Sequence, residues 1–590
     1  MRKDFRCRLW IDRVIAGETW KQVVVAGGVF ALAFIIIGII YLANRHTFGQ
    51  AFVDMVSPVT AQKEAYDESP DGKVVLGRFI VYSIGAIVFT GLLIATITSA
   101  LRTRVDKFKQ GTVKYYFRHH IVFLGYDDMI VGMIQKLCDY GEPRIVVGVE
   151  SKANEVNDLI KNRIYNKHKN KVVVLQADSC NKKDIERLRI PYADKVFVIG
   201  EHDDAYNLKS YRTIYELSLC SGNFEERMPQ CYVNLQHQST LTLFQTYATT
   251  GDIGVDFSHF HTFNFYDEWA RYMIVGAELE RKLRMDYRDT ETKNPRQIHL
   301  VIVGMSEMGR ALARQAVLLC HYPSYVTHKI RTKITFIDPE AMQHAQRLVG
   351  HYQRLYERCH YATYDASAEK TFENDVDGLD VEFDFYETDI SNLSMRNKLA
   401  EWSADPKQML TIAICQPKAA QSLAAGIYLP DSIYHQDADT PIWIYQPTFG
   451  DLGNYMKGSR YKNVVTFGMS GESLDVCNET IIGWSMRINH YLKNRKNGVV
   501  NYSNSRLIEL EWQENTVYQK WTCINRAMHI LVMLHNTDYM NNETNELYAK
   551  VELSRGEIES LMGMEASDGE AHTLEKEKDY IKELKHIINI

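Results

Sequence analysis

Two runs without a single charge govern what this chain can fold into. Val23 to Ala43 holds 21 such residues and Phe79 to Leu101 holds 23. At 1.5 Å per residue a helix of the first length reaches roughly 30 Å, the thickness of a bilayer's hydrocarbon core. Helices at the surface of soluble domains keep a polar face, so two runs that are apolar all round predict a membrane pair. The first run is longer than a secretory h-region and no small-residue cleavage site follows it, so it is read as retained. Mean hydropathy over all 590 residues is nevertheless -0.28, so most of the mass is expected in a water-soluble body.

The flanks give an orientation. Residues 1–22 hold six basic side chains, and Arg102, Arg104, Lys107 and Lys109 follow the second run, whereas residues 44–78 hold four basic and five acidic ones. By the positive-inside rule both ends are cytoplasmic in a multi-pass protein of the cell membrane. The expected layout is a cytoplasmic segment 1–22, a membrane domain 23–101 with its outer loop at 44–78, and a basic linker 102–118. The outer loop places Phe48, Ala51, Phe52 and Met55 at helical spacing, with Asp54 off that face, before Pro58 limits the helix. Span, short helix, irregular segment and span form the layout of a pore loop, with Asp54, Ser57, Val59 and Thr60 as candidate pore residues. No T-V-G-Y-G filter is present. A plain external connector satisfies the same residues and would leave the spans as an anchor.

The remainder reads as two copies of one unit. His120–Tyr126, Arg144–Glu150, Lys171–Asp178, Lys195–Glu201 and Cys231–Gln236 are short β-branched runs alternating with helical patterns, the mark of a doubly wound parallel sheet. The series restarts with His299–Gly304 and a helix from Met308. Lys333–Asp338, Phe383–Asp389, Leu410–Gln416, Pro441–Gln446 and Asn463–Phe467 follow. The expected fold is a two-span α-helical membrane domain followed by two tandem Rossmann-like α/β units, at 119–290 and 291–470. A mostly helical region, 471–590, closes the chain, with amphipathic stretches at Trp512–Asn536 and Leu547–Met564.

The dinucleotide fingerprint G-x-G-x-x-G supplies glycines for the turn, for pyrophosphate approach and for helix packing. In the first unit those positions are Gly125, Asp127 and Ile130; in the second they are Gly304, Ser306 and Gly309, with Asp338 placed to hold a ribose hydroxyl. Candidate ligand-binding residues are therefore Gly125, Glu150 and Asp178 in the first unit, and Gly304, Ser306, Gly309, Asp338 and Asp389 in the second. Either turn can equally serve only to connect strand to helix. His259 and His261 face one side of a strand, but no third metal ligand is evident, and ordinary surface histidines are the simpler assignment. The ten cysteines form no C-x-x-C pair, which fits reduced thiols. A net charge of -6 argues against nucleic acid as a partner. No nucleophile–base triad, H-E-x-x-H or P-loop occurs, so no enzyme is expected.

The stretch Ile97–Leu137 (ITSALRTRVDKFKQGTVKYYFRHHIVFLGYDDMIVGMIQKL), with Val172–Glu201 and Phe263–Ala270 (FNFYDEWA), resembles ion channels of the CASTOR/POLLUX type, whose cytoplasmic part is built from tandem RCK (TrkA-N-like) domains. The resemblance covers roughly residues 20–470 and is specific in the first 290. It implies a homotetramer around a central pore, with eight RCK units in a gating ring that a nucleotide or divalent cation moves. The expected function is thus a ligand-gated cation channel subunit, with the lipid bilayer and monovalent or divalent cations as partners. A membrane-anchored regulatory subunit of a cation transporter, or a membrane-tethered NAD(H)-dependent oxidoreductase, are the alternatives.

Overall fold

The computed structural model describes, with breaks of a few residues, 94–220, 228–240, 259–275, 296–434, 440–446, 461–468, 479–494 and 501–536, plus the pairs 540–541 and 546–547. The two apolar runs, the loop between them and the pore candidates Asp54, Ser57, Val59 and Thr60 lie outside the described residues, apart from a few helical positions between 94 and 107. Among the described residues no helix is long and apolar enough to cross a membrane. The chain divides into two compact bodies: residues 1–116, 148–159 and 174–178 form one, and 117–147, 160–173 and 179–590 the other.

The first sheet comprises β1 (His120–Leu124), β2 (Arg144–Val149), β3 (Val172–Gln176), β4 (Lys195–Val198), β5 (Gln230–Asn234) and β6 (Phe260–Phe263), in the order β3-β2-β1-β4-β5-β6. The pairs β1–β4, β4–β5 and β5–β6 are parallel. Helices α1 (Ile130–Tyr140), α2 (Ala153–Arg163), α3 (Lys182–Arg187) and α4 (Asp204–Cys220) make the crossovers, and α5 (Phe265–Val275) follows β6. All five residues of β1 are buried, as expected of a central parallel strand covered on both faces. Phe123 and Phe197 stack at 4.8 Å across β1 and β4, and Phe197 stacks on Tyr232 of β5 at 5.0 Å.

The second sheet repeats this plan. β7 (Gln297–Val303), α6 (Glu307–Leu319), β8 (Thr332–Asp338), α7 (Ala341–His351), the short α8 (Gln353–Tyr356), β9 (His360–Tyr364), β10 (Lys370–Asn374) and β11 (Val381–Glu387) lead into its second half. That half holds α9 (Leu393–Ala404), β12 (Gln408–Ile414), α10 (Ala419–Ile427), β13 (Ile442–Tyr445) and β14 (Val464–Phe467). The order is β10-β9-β11-β8-β7-β12-β13-β14. With the edge hairpin β9–β10 set aside, both sheets read 3-2-1-4-5-6 in their own strand numbering, the order of a dinucleotide-binding fold with its switch point beside the first strand. The duplication reaches single residues. Gly125 and Gly304 end the first strands with φ of 96° and 95°. His120 and His299, five residues before each glycine, are both fully buried.

The hairpin was not expected from the sequence. β10 lies at the sheet edge, antiparallel to β9, and four of its five residues are exposed. An exposed edge strand carries charged residues and loses the alternation that betrays a half-buried one. Nor is Trp512–Asn536 one element: Trp512 belongs to α12 (Ser505–Gln513), and a new helix, α13 (Val517–Asn536), follows. Thr516 and Gln519 form a reciprocal capping box, with Gln519 N–H donating to Thr516 Oγ1 at 3.2 Å and Thr516 N–H to Gln519 Oε1 at 3.0 Å. The helix α11 (Glu479–Asn494) packs on α12 and α13, and α13 also packs on α5 and α6. The seven described cysteines carry no disulfide; burial pushes the Cys138 and Cys523 thiols up to about 11.

Candidate functional site

The second unit's strand-to-helix turn is the better-formed of the two. Only a residue free at positive φ ends β7 comfortably, and a Cβ on Gly304 would stand 2.8 Å from the Cys415 carbonyl oxygen on the neighbouring strand end. Ser306 caps α6, its hydroxyl accepting from Gly309 N–H at 3.3 Å. Gly309 lets the helix lie against the turn, because a Cβ there would fall 2.3 Å from the Gly304 oxygen. Asp338, at the end of β8, accepts Met305 N–H on Oδ2 and Glu340 N–H on Oδ1, each at 2.8 Å. Sequence reasoning brought Gly304, Ser306, Gly309 and Asp338 together, and the fold does so. Asp338, however, ties the turn to the end of its own strand through its carboxylate, which accepts backbone N–H groups, a role no motif announces.

Asp389 has a local task. It lies two residues beyond Glu387, the register partner of Asp338. Its Oδ1 accepts from Ser391 N–H at 2.8 Å and from the Ser391 hydroxyl, which turns the chain toward α9.

In the first unit Gly125 makes the same bend, but Asp127 stands at the second fingerprint position and the buried Ile130 at the third. Glu150 and Asp178 belong to the smaller body. There the Glu150 carbonyl accepts from Gln176 Nε2 at 3.1 Å, and Gln176 N–H donates to the carbonyl of Gly111 at 3.0 Å. Gly111, in the basic linker, has φ of 69°, and a Cβ on it would meet Gln176 N at 2.6 Å. The linker is therefore seated against the end of β3.

The sequence did not foresee Tyr266, the second residue of α5. Asn264 caps that helix, accepting Tyr266 N–H at 2.8 Å and Asp267 N–H at 3.1 Å, while its amide donates to the Leu235 and Gln236 carbonyls. Burial pushes the Tyr266 phenol up; a hydrogen bond to Gln236 opposes this, and the carboxylates of Glu307 and Asp127 add to it. Burial likewise raises the Tyr445 phenol at the end of β13, with Tyr266 and Asp127 among the contributors. Residues from both strand-to-helix turns thus act on one pair of phenols. The FNFYDEWA stretch holds the signal, since Asp267 also forms the 2.8 Å ion pair with Arg314 that joins α5 to α6.

His261 is not an ordinary surface histidine. Its ring stacks on Tyr232 at 4.9 Å, Nε2 lies 2.7 Å from Gln230 Oε1, and burial lowers its pKa well below the usual value. Among the described residues no group of three or more His, Cys, Asp or Glu side chains is arranged to hold a metal ion.

No protein-family model matches the sequence, and a comparison with curated proteins finds no match either. Among solved structures, the GsuK channel bound to NAD is similar at 10% identity over 81% of this chain and 84% of that one, with a TM-score of 0.40. GsuK bound to ADP is similar at 10% identity over 77% and 97%, with a TM-score of 0.37. The human SLO3 gating ring is similar at 8% identity over 60% and 80%, with a TM-score of 0.33. Likenesses this distant leave the functional reading to the chain's own residues.

Proposed function

We propose that this chain is the subunit of a ligand-gated cation channel of the CASTOR/POLLUX type, in which the two apolar runs conduct and two RCK domains regulate. The observation that carries the reading is the duplicated 3-2-1-4-5-6 sheet following two uncharged runs of 21 and 23 residues. Four copies would set eight Rossmann-like units beneath one pore, with Asp54, Ser57, Val59 and Thr60 lining the outer loop and both termini in the cytoplasm. A ligand that prefers one arrangement of that ring shifts the gate by its differential affinity for the two states. The seated linker at Gly111 supports this coupling, because it joins the end of the second run to β3 through a fixed backbone contact. A nucleotide or a divalent cation is the gating ligand in this reading. The Gly304 turn is the place for it in the second unit, whereas Asp127 would repel a phosphate in the first.

Purified full-length protein in liposomes provides the test. Cation flux that distinguishes between substituted ions, and that a thiol reagent blocks from outside when cysteine replaces Val59 or Thr60, supports a pore. Absence of flux from folded, reconstituted protein refutes it and leaves a regulatory subunit. Unaltered flux after demonstrated labelling refutes the loop assignment.

A further inference from the structure

The far end of α6 meets α13 through a pair of histidines. His321 stands two residues beyond α6, and its Nδ1 lies 2.8 Å from Oδ2 of Asp380, the residue just ahead of β11. His529 of α13 sets its ring edge-on to that of His321, with centroids 5.6 Å apart and planes at 87°. The His529 Nε2 atom is buried without a hydrogen-bond partner, so the bond of this ring to the His321 backbone is made by Nδ1. That bond favours the charged ring, which makes Nδ1 a donor to the carbonyl and leaves a bare lone pair on Nε2. Among the described residues Asp380 is the one carboxylate that acts on either ring, and His321 engages it. Burial opposes a charge on His321, but the bond to Asp380 and its charge, with a backbone bond to Val317, outweigh burial and hold the His321 pKa above its usual value.

We infer that α13 is a pH-released latch on the second unit, docked while the His529 ring is neutral and let go once that ring takes a proton. A proton on Nε2 would create a buried N–H without an acceptor, facing an imidazolium at ring-contact distance, so the charged ring is stable only in water. Burial, with His321 adding to it and Asp380 and the backbone bond opposing, lowers the His529 pKa from 6.5 to about 3. A released helix regains the ordinary value, so release takes up one proton between those two limits. Docking is therefore strongest above pH 6.5 and weakens as pH falls toward 3. From pH 7.5 to 5.0 the docking constant should fall about 30-fold. His321 and Asp380 both belong to the second unit and stay paired after release, so their charges cancel from the balance. His261 of β6 works in the same direction, since burial first and Lys520 of α13 second keep its ring neutral, ahead of His259 and Lys195. Arg526 of α13, Lys493 of α11 and the Arg314–Asp267 pair between α6 and α5 keep their charges across this range. His490 of α11 is paired with Glu511 of α12 at 2.7 Å and so bears on the contact between those two helices. Asn525, one turn before His529, is buried with both ends of its amide unpartnered, so the docked helix also forgoes hydrogen bonds that water supplies on release. The helix that α13 latches by one end, α6, forms the Gly304 turn at the other. The inference rests on the fold and is independent of conduction.

Hydrogen exchange of the full-length protein in detergent, between pH 7.5 and 5.0 and corrected for the intrinsic rate at each pH, reads the latch. Residues 517–530 report α13, and residues 297–303 report the second sheet. Protection of α13 in the parent should fall about 30-fold across this range and end below that of β7. His529→Gln keeps an N–H for the His321 carbonyl but does not titrate, so its α13 response should be smaller by about fivefold or more, while β7 responds as in the parent. His529→Phe serves the same comparison should the glutamine variant not fold. Protection of α13 that is flat with pH in the parent overturns the inference. So does an α13 response as large in the variant as in the parent, or a loss of protection by one common factor in α13 and β7.

Discussion

His299 makes acid stability a test of how the second sheet is built. The ring lies in the middle of β7, fully buried, with Nδ1 2.8 Å from Gln408 Oε1 and Nε2 2.8 Å from Thr335 Oγ1. An amide oxygen only accepts, so Nδ1 carries the proton and Nε2 accepts from the threonine hydroxyl. Trp402 stands edge-on at 4.8 Å. Burial, reinforced by Lys333 and opposed by the bond to Gln408, lowers the pKa from 6.5 to about 3. An unfolded chain therefore binds one proton more than the folded one between those two values. The stability that the neutral ring contributes is complete above pH 6.5 and is lost as pH falls toward 3, at a rate of one proton per molecule. Descending from pH 6.5 to 4.5 should remove about 2 kcal/mol through this group alone. His299→Leu removes the titration at the cost of leaving the Thr335 hydroxyl and the Gln408 amide without this partner, about 1–3 kcal/mol at every pH. Denaturant unfolding of the full chain at pH 6.5, 5.5 and 4.5, followed by tryptophan emission, gives both curves. The variant should start less stable and converge on the parent as the pH drops. His120, lowered to about 4 by burial, titrates equally in both and cancels. Parallel curves would refute the buried neutral imidazole and with it the packing of β7 against β8 and β12.

Two further outcomes are expected. Gly111→Ala should displace the linker from β3, because the new Cβ would fall 2.6 Å from Gln176 N at a backbone with φ of 69°. Faster hydrogen exchange at Gln176 and weakened ligand control of flux, with the second unit's unfolding unchanged, is the expected pattern; parent-like exchange at Gln176 counts against it. Asp338→Ala removes the acceptor for both Met305 and Glu340 N–H and should destabilise the second unit by about 1–3 kcal/mol. Asp338→Asn keeps one acceptor oxygen and should recover part of that loss, so equal unfolding midpoints for the two variants would refute the tethering role.

What the residues announce and what the fold adds separate along a physical line. Central strands bury both faces, so their β-branched runs appear in sequence with ends correct to a few residues, and the repeat of those runs predicts two like units. A glycine at the end of each first strand is legible because the turn requires positive φ. The local order of Ser306 and Gly309 is legible too, since a cap and a close approach are made within one turn of helix.

Contacts between distant segments leave no such trace. The hairpin β9–β10 is hidden because an exposed edge strand needs no apolar face. Asp338 was expected to await a ribose, yet its Oδ2 takes the Met305 N–H, a donor that only the parallel pairing of β7 with β8 brings within reach. The approach of Asp127 and Glu307 to Tyr266, from turns some 180 residues apart, depends on α5 lying against α6. Local preference and periodicity are written into neighbouring residues, so the sequence by itself determined the buried parallel strands, the two glycine turns and the duplication. Which side chains share one dielectric environment is a property of packing, and only the tertiary structure decided it.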